Sequence, residues 1–439
     1  MGFYGRKPGY TDFIAAGGAG NHAWNVIRSE ADYLLFKHAE QQGAKTFDKV
    51  KVVSIEFDRP EKHNTDAGRD TDAITDLGKP VSASWKQMDT GACGTTRFKY
   101  LVDASGRAGI VSTRYAKNRE YNPGLKSTAI WGYWKSADTY GPGEGDPFFE
   151  AILDGSGWAW FIPLHDGTVS VGVTIKSALV AEKKKACGST GTRDFYLRTL
   201  KDTPGIAKLL SGAQLQSERL RTASDWSYRA HGYAGPRLRI AGDAGCFIDP
   251  LFSSGVHLAM NSGLSAAVTI CASLKGDCSE EAAMTWHSIK VAEGYTRFLL
   301  VVTSSLKQIH GRDKDILNDL DEPGFDTAFE HFKPIIQGTV EAGGKLTKAQ
   351  IAQSVEFCTS FIAKVDSGCL SDFTLSENAP GGKRGAAAPA AADDVCDAMM
   401  MKIVRMNRVL DLDNFAADMI NGMTSRIKRG HLGLIKGAG

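Results

Sequence analysis

The sequence of 439 residues has no C-x-x-C pair among its eight cysteines, so neither a disulfide scaffold nor a structural zinc site is expected. It has no run approaching roughly 18 apolar residues, so no membrane-spanning segment and no membrane partner is expected. The N-terminus, MGFYGRKPGYTDF, has no apolar core of the secretory kind. These features together point to a reducing, cytoplasmic setting. There is no excess of one charge: the formal net charge is +2, which makes no case for a nucleic-acid partner. A local basic patch remains open: the tail RIKRGHLGLIKG carries Arg426, Lys428, Arg429 and Lys436, and it reads as a solvated helix end. No internal repeat is present. With 42% hydrophobic and 23% charged residues, the chain has the makeup of an ordinary globular protein of one large domain or two.

Periodicity organises what is there. Leu34, Leu35, His38 and Ala39 follow a helical period ahead of Gly43, a plausible C-cap. KVKVVSIEF alternates as a strand. A polar, turn-rich stretch, DRPEKHNTDAGRDTDAITDLGKP, reads as a long loop inside a hairpin. VSASWKQM and TTRFKYLVDASGRAG then read as two further strands, the second ending in Asp103-Ala104-Ser105-Gly106. STAIWGYWK, PFFEAIL, GWAWFIPL and TVSVGVTI predict an antiparallel sheet separate from the α/β portion. Residues 190–222 read mostly as helix. RLRIAGDAG returns to a buried strand, VHLAMNSGLSAAVTICASL forms a helix rich in small residues, and the pattern from about 280 to 372 is helical. ENAPGGKRGAAAPAAADD, 377–394, reads as a flexible segment, and a Met-rich helical stretch follows it.

Two stretches carry chemistry. In GWAWFIPLHDG, residues two apart share a strand face, so Trp158, Trp160 and Ile162 form one flat apolar stripe. Ala159 and Phe161 face the other way, and Pro163 ends regular pairing or sits at an edge. The stripe reads either as core or as an aromatic wall beside a ligand. In RLRIAGDAGCFIDPLFSSGVHLAMNSG, an apolar strand delivers Gly242 and Asp243 to its C-terminal end, the ligand-binding end of an open α/β sheet. Asp243 could accept hydrogen bonds from sugar-like hydroxyls. Pro250, Ser253, Ser254 and Gly255 lead into a helix whose free N–H groups favour an anion, and Gly255 allows close approach to the backbone. The plainer reading is a strand, turn and helix with an ordinary cap.

GDAGCFIDP resembles the second FAD motif of glutathione-reductase-type flavoproteins. PLFSSGVHLA resembles the flavin-facing segment of flavin-dependent halogenases, and GWAWFIP matches their W-x-W-x-I-P signature at Trp158, Trp160, Ile162 and Pro163. GYTDFIAAGG, AWNVIRSEAD and DWSYRA are similar to fungal members that chlorinate phenolic natural products. The resemblance runs from about position 9 to 310. It implies an α/β fold with a glutathione-reductase-type FAD-binding domain, incomplete here, an antiparallel substrate sheet and a C-terminal helical region. The corresponding division is 1–126 for the remainder of the FAD-binding domain and 127–222 for the antiparallel sheet with helices. It continues with 223–275 for the second FAD motif and flavin-facing helix, and 276–439 for a helical C-terminal region.

The implied reaction is chlorination of an activated phenolic ring by hypochlorous acid, made from chloride and a flavin hydroperoxide. A separate flavin reductase would supply FADH2, and the cofactor carries the redox step. By the same resemblance Ser254 and Gly255 hold chloride, Val256 touches the flavin ring and Asp243, with Gly242, binds the ribityl side. Arg28 binds the phosphate side, which suits a guanidinium. Val52, Asp103 and Ala104 fall on the adenine side, and Trp158 and Trp160 form the flavin-side wall. Phe252 stands where tryptophan-type members carry a glutamate, which favours a phenol over free tryptophan. His257 is either a polar group near the site or a satisfied helix histidine.

The family's G-x-G-x-x-G turn and its K-x-G-E-S lysine have no counterpart here. GGAGNHAW is not that turn, and Lys7 reads as a solvated loop lysine. The chain is therefore expected to begin inside the family's first domain. Two other readings compete: an aromatic-hydroxylating flavin monooxygenase of the same fold, and a non-catalytic paralogue that binds a phenolic ligand without flavin.

Overall fold

The computed structural model describes residues 12–14, 22–58, 73–141, 143, 145–224, 227–310, 415 and 419–437. Lys7, most of GYTDFIAAGG, Asp225-Trp226, most of the polar loop after the first strand, the segment 377–394 and the Met-rich stretch lie outside them.

Helix α1 (Arg28–Gln41) is closed by Gly43 at a φ of 97° as the C-cap reading requires. Its apolar period does not mark a buried face: Tyr33, Leu34 and Leu35 are all exposed. Strands β1 (Val50–Asp58) and β2 (Lys79–Gln87) pair antiparallel, and β3 (Cys93–Arg97) adds to β2. The expected single strand through TTRFKYLVD is corrected here. It breaks at Phe98–Tyr100, and β4 (Leu101–Asp103) belongs to another sheet. One strand cannot pair with β2 and also run parallel to the Leu238–Ile240 segment. The bend is held by the Tyr100 hydroxyl donating to Glu280 at 2.8 Å and by Leu101 N–H donating to Arg237 O at 3.0 Å.

After β5 (Arg119–Tyr121) come β6 (Ser127–Lys135), β7 (Phe148–Ala151), β8 (Gly157–Pro163) and β9 (Thr168–Lys176). These four build the expected antiparallel sheet, in the order β6-β9-β8-β7. Helices α2 (Ser177–Ala186), α3 (Thr192–Lys201) and α4 (Pro204–Leu209) follow, then β10 (Gln214–Leu215) and β11 (Arg221–Ser224), both on β6. The helical expectation for 190–222 therefore holds only to Leu209. Alternation decides what β8 buries. Ala159 and Phe161 enter one core with Phe195 and Tyr196 of α3. Trp158 enters a second core on the opposite face.

The third sheet joins β13 (Ala234–Gly235), β14 (Leu238–Ile240) and β4, after β12 (Tyr228–Ala230) pairs with β5. β14 and β4 run parallel with Ile240 opposite Asp103, so both strands end at the same edge. From that edge the chain turns into α5 (Gly255–Lys275) and then α6 (Glu280–His310). Val291, Tyr295 and Phe298 of α6 close the core around Trp158. Leu251–Lys275 is long and apolar enough to cross a bilayer by length and composition, and α5 lies against α6 and the Gly242 turn.

The tail is a hairpin and not the helix end expected of RIKRGHLGLIKG: β15 (Met423–Arg426) pairs with β16 (Gly433–Lys436). Gly430, at a φ of 77°, makes the left-handed turn. Leu434 is buried with Val268, Ala272 and Trp286, and the Trp286 indole donates to Met423 O at 3.2 Å.

Candidate functional site

The site is built where β4 and β14 end. Asp103 and the Gly242–Ala244 turn are joined there by Ala241 N–H donating to Asp103 O at 2.9 Å. Gly242 has a φ of 60°, and a Cβ on it would stand 3.0 Å from the Ala259 methyl of α5. Only glycine allows both that backbone and so close a helix. This places Asp243 beside the start of α5.

Around Asp243 the fold gathers charge from distant segments. Burial raises the Asp243 carboxyl above its usual range, and Arg28, Arg107 and Arg119 are close enough to oppose that rise. Arg119 is fixed by donating to Arg107 O at 2.7 Å and to Ala244 O at 3.2 Å, with its guanidinium 3.9 Å above the Tyr228 ring. Tyr228 in turn donates its hydroxyl to Asp243 O at 2.6 Å. Arg28 is exposed and bidentate to Asp32, at 3.0 Å through both contacts.

Arg107, Arg119 and Tyr228 escaped sequence reasoning. Arg107 follows the Asp103-Ala104 break directly, and that position was a usable signal. Arg119, in KNREY, carries no local signal, since only the β5–β12 pairing brings it over Tyr228.

Asp103 is only 5% exposed and spends both carboxylate oxygens on its own loop. Oδ1 accepts from Ser105 N–H at 3.0 Å and Oδ2 from Val111 N–H at 2.7 Å. Its side chain shapes the 105–111 turn, while Ala104 stays exposed. Val52 lies on another sheet, partly buried against the core of Leu238 and Ile240.

The approach to α5 is the most strained backbone of the region. Phe252 and Ser253 both take left-handed conformations, at φ values of 66° and 55°. Such residues cost about 1–3 kcal/mol each and gather at ligand sites. The turn presents α5 with no side-chain cap at Ser254, whose own side chain is buried. The first N–H groups of the helix, with its positive dipole end, are free to meet an anion. Val256 is 40% exposed, and Met260, one turn on, is also exposed. His257 bonds Asn261 at 3.1 Å and packs edge-on against Phe298.

Phe252 and Trp160 both pack against the core cluster that contains Trp158. Trp158 and Trp160 lie 5.6 Å apart by ring centroids, and Trp131 adds a third indole 6.2 Å from Trp160. Trp158 is sealed at 1% exposure, so of the pair only the half-buried Trp160 can touch a ligand. Its ring lies over Gly172 on β9, and its Nε1–H donates to Ser170 at 3.2 Å.

A phosphate-bearing, hydroxyl-rich flavin fits this donor set: three guanidiniums, a carboxylate at a strand end, and an uncapped helix start opened by a close-packed glycine.

Comparison with known proteins agrees. The tryptophan halogenase family model matches residues 86–307. A flavin-dependent halogenase of Acremonium egyptiacum is 46% identical over 98% of this chain and 78% of its own length. The sulochrin halogenase of Aspergillus terreus is 46% identical over 98% of this chain and 79% of its own. Among solved structures, the flavin-dependent brominase Bmp2 superposes with a TM-score of 0.56 at 21% identity, covering 78% of this chain and 76% of that one.

Proposed function

Because the chain belongs to the flavin-dependent halogenase family, with FAD as cofactor and halogenation of a small molecule as its reaction, we propose that it chlorinates an activated phenolic ring. Reduced FAD would come from a separate flavin reductase. One observation carries this reading: the uncapped helix α5 packs against the Gly242–Ala244 turn, and Phe252 on its approach packs against the core cluster that Trp158 enters and Trp160 borders. The A. terreus relative, named for sulochrin, is consistent with a phenolic substrate class.

Reduced FAD, when bound, would activate oxygen, and the activated oxygen would supply the two-electron oxidation that turns a halide into an electrophile. The chain's own residues do the rest. Asp243 accepts hydrogen bonds from the ribityl hydroxyls, and Gly242 lets them approach. Arg28, Arg107 and Arg119 neutralise phosphate charge. Val52, Asp103 and Ala104 border the adenine side, Asp103 through the loop it fixes. Ser254 and Gly255 N–H groups hold chloride at the positive end of α5. Val256 lies against the flavin ring. Trp160, backed by Trp158, walls that side, and Phe252 keeps its end of the turn apolar, which suits a neutral phenol. The described cysteines are all free, in keeping with a reducing cytoplasm.

The test is turnover of the full chain with FAD, a flavin reductase, oxygen and a panel of phenols, with and without chloride. A chloride-dependent monochlorinated product is the expected result. A hydroxylated product formed equally without chloride would establish the monooxygenase reading instead. Phenol binding with no flavin binding would establish the non-catalytic one.

A further inference from the structure

Behind the tryptophan wall lies a cavity of about 20 Å³, bordered by Ser127, Trp158, Thr174 and Asp249 among others. Trp158 and Thr174 are 1% and 2% exposed, yet Trp158 Nε1 and Thr174 Oγ1 have no hydrogen-bond partner within the protein. Asp249 is 3% exposed. Its Oδ1 accepts from Leu251 N–H at 2.9 Å, and its Oδ2 takes the Ser127 hydroxyl at a long 3.4 Å. Lys126 and Lys176 stand at the rim and are exposed.

An indole N–H can only donate and a carboxylate can only accept, so a group that does both is needed between them. The void has room for one water, which needs about 10–15 Å³ and two to four polar partners. An apolar occupant would leave two buried groups unsatisfied, and an anion would face the carboxylate. We propose that this cavity holds a single structural water joining Trp158 and Thr174 to Asp249, and that Asp249 is a positioning residue. It ties the turn carrying Ser254 and Gly255 to the tryptophan strand. The water follows from the cavity alone, whereas the consequence for chloride rests on the function proposed above.

The test uses crystal structures of the full chain, wild type and W158F, together with chloride kinetics of D249A and D249N. W158F removes the N–H together with the five-membered part of the indole, so T174V, which keeps the side-chain shape and removes only the Thr174 Oγ1 partner, is read beside it. The wild type is expected to show one water within hydrogen-bonding reach of Trp158, Thr174 and Asp249, and W158F to lose or displace it. D249A is expected to raise the KM for chloride roughly tenfold, the equivalent of one lost hydrogen bond, with a smaller change in kcat. D249N, which keeps the acceptor for Leu251, is expected to restore most of it. If D249A does not fold, T174V carries the same kinetic test with a smaller rise. A dry cavity in the wild type overturns the water. An unchanged chloride KM in both D249A and T174V overturns the positioning role. A hydrated cavity in a protein that never chlorinates leaves the water standing and removes the halogenase reading, while chlorination around a dry cavity does the reverse.

Discussion

Gly172 stands directly opposite Trp160 in the β8–β9 register. A methyl group on it would lie 2.2 Å from Cζ2, 2.4 Å from Cη2 and 2.5 Å from Cε2 of that indole. Carbon atoms rest at about 3.5–4.0 Å, so G172A must push the ring away by about 1.5 Å. Overpacking of this kind costs about 1–3 kcal/mol. Stretching the Trp160–Ser170 bond adds about 1 kcal/mol, and the stiffer unfolded chain returns about 0.4–1 kcal/mol. The expected net loss is about 1–3 kcal/mol, read by urea unfolding, with a change in tryptophan emission. The control is the same substitution in a W160A background. The three nearest atoms all belong to the indole, so G172A there should cost under about 0.5 kcal/mol. Chlorination should fall as the wall tilts, while FAD affinity holds, since Asp243 and Arg119 lie on other elements. A single mutant within about 0.5 kcal/mol of wild type, with unchanged emission, would refute the close stacking on which the wall depends.

Arg119→Ala removes the fork over Tyr228 and should weaken FAD binding by about 10- to 100-fold in a fluorescence titration, with R119K recovering only part, because lysine lacks the planar fork. Asp103→Asn replaces one of two acceptors by a donor facing an N–H; it should destabilise the protein by about 1–3 kcal/mol and speed hydrogen exchange at Val111. His287 is fully buried, its Nε2–H donating to Ile240 O at 3.0 Å and its Nδ1 accepting from Ser265, and burial with the nearby Arg239 charge lowers its pKa to about 3. Below pH 6.5 the unfolded chain takes up a proton that the folded chain refuses, so stability falls with pH down to about 3. At pH 5 this amounts to about 2 kcal/mol, and the stability gap between wild type and H287Q should shrink by that much between pH 7 and 5.

How much of this was legible in the sequence depended on whether the signal was local. Alternation in GWAWFIP fixed the two faces of β8 correctly, because strand period is a property of adjacent residues. Gly242-Asp243 marked a strand end for the same reason. The break at Phe98–Tyr100 was invisible, since it is imposed by two different sheet partners. The tail hairpin was missed because its apolar side is defined by α5 and Trp286, far away in sequence. Arg119 reaches the site only through strand pairing. The left-handed pair Phe252–Ser253 gave no warning, as neither residue favours that backbone by itself. Asp249 read as part of a motif, and only its burial beside two unsatisfied donors set it apart.

The central claim is that the start of α5 is the halide seat beside the flavin. A crystal structure of the full chain with FAD and bromide, read by anomalous scattering, tests it most directly. A bromide peak is expected within hydrogen-bonding distance of the Ser254 and Gly255 N–H groups, with the flavin ring against Val256 and its ribityl chain at Asp243. A flavin ring seated away from α5, or ordered bromide everywhere except at that helix start, would contradict it.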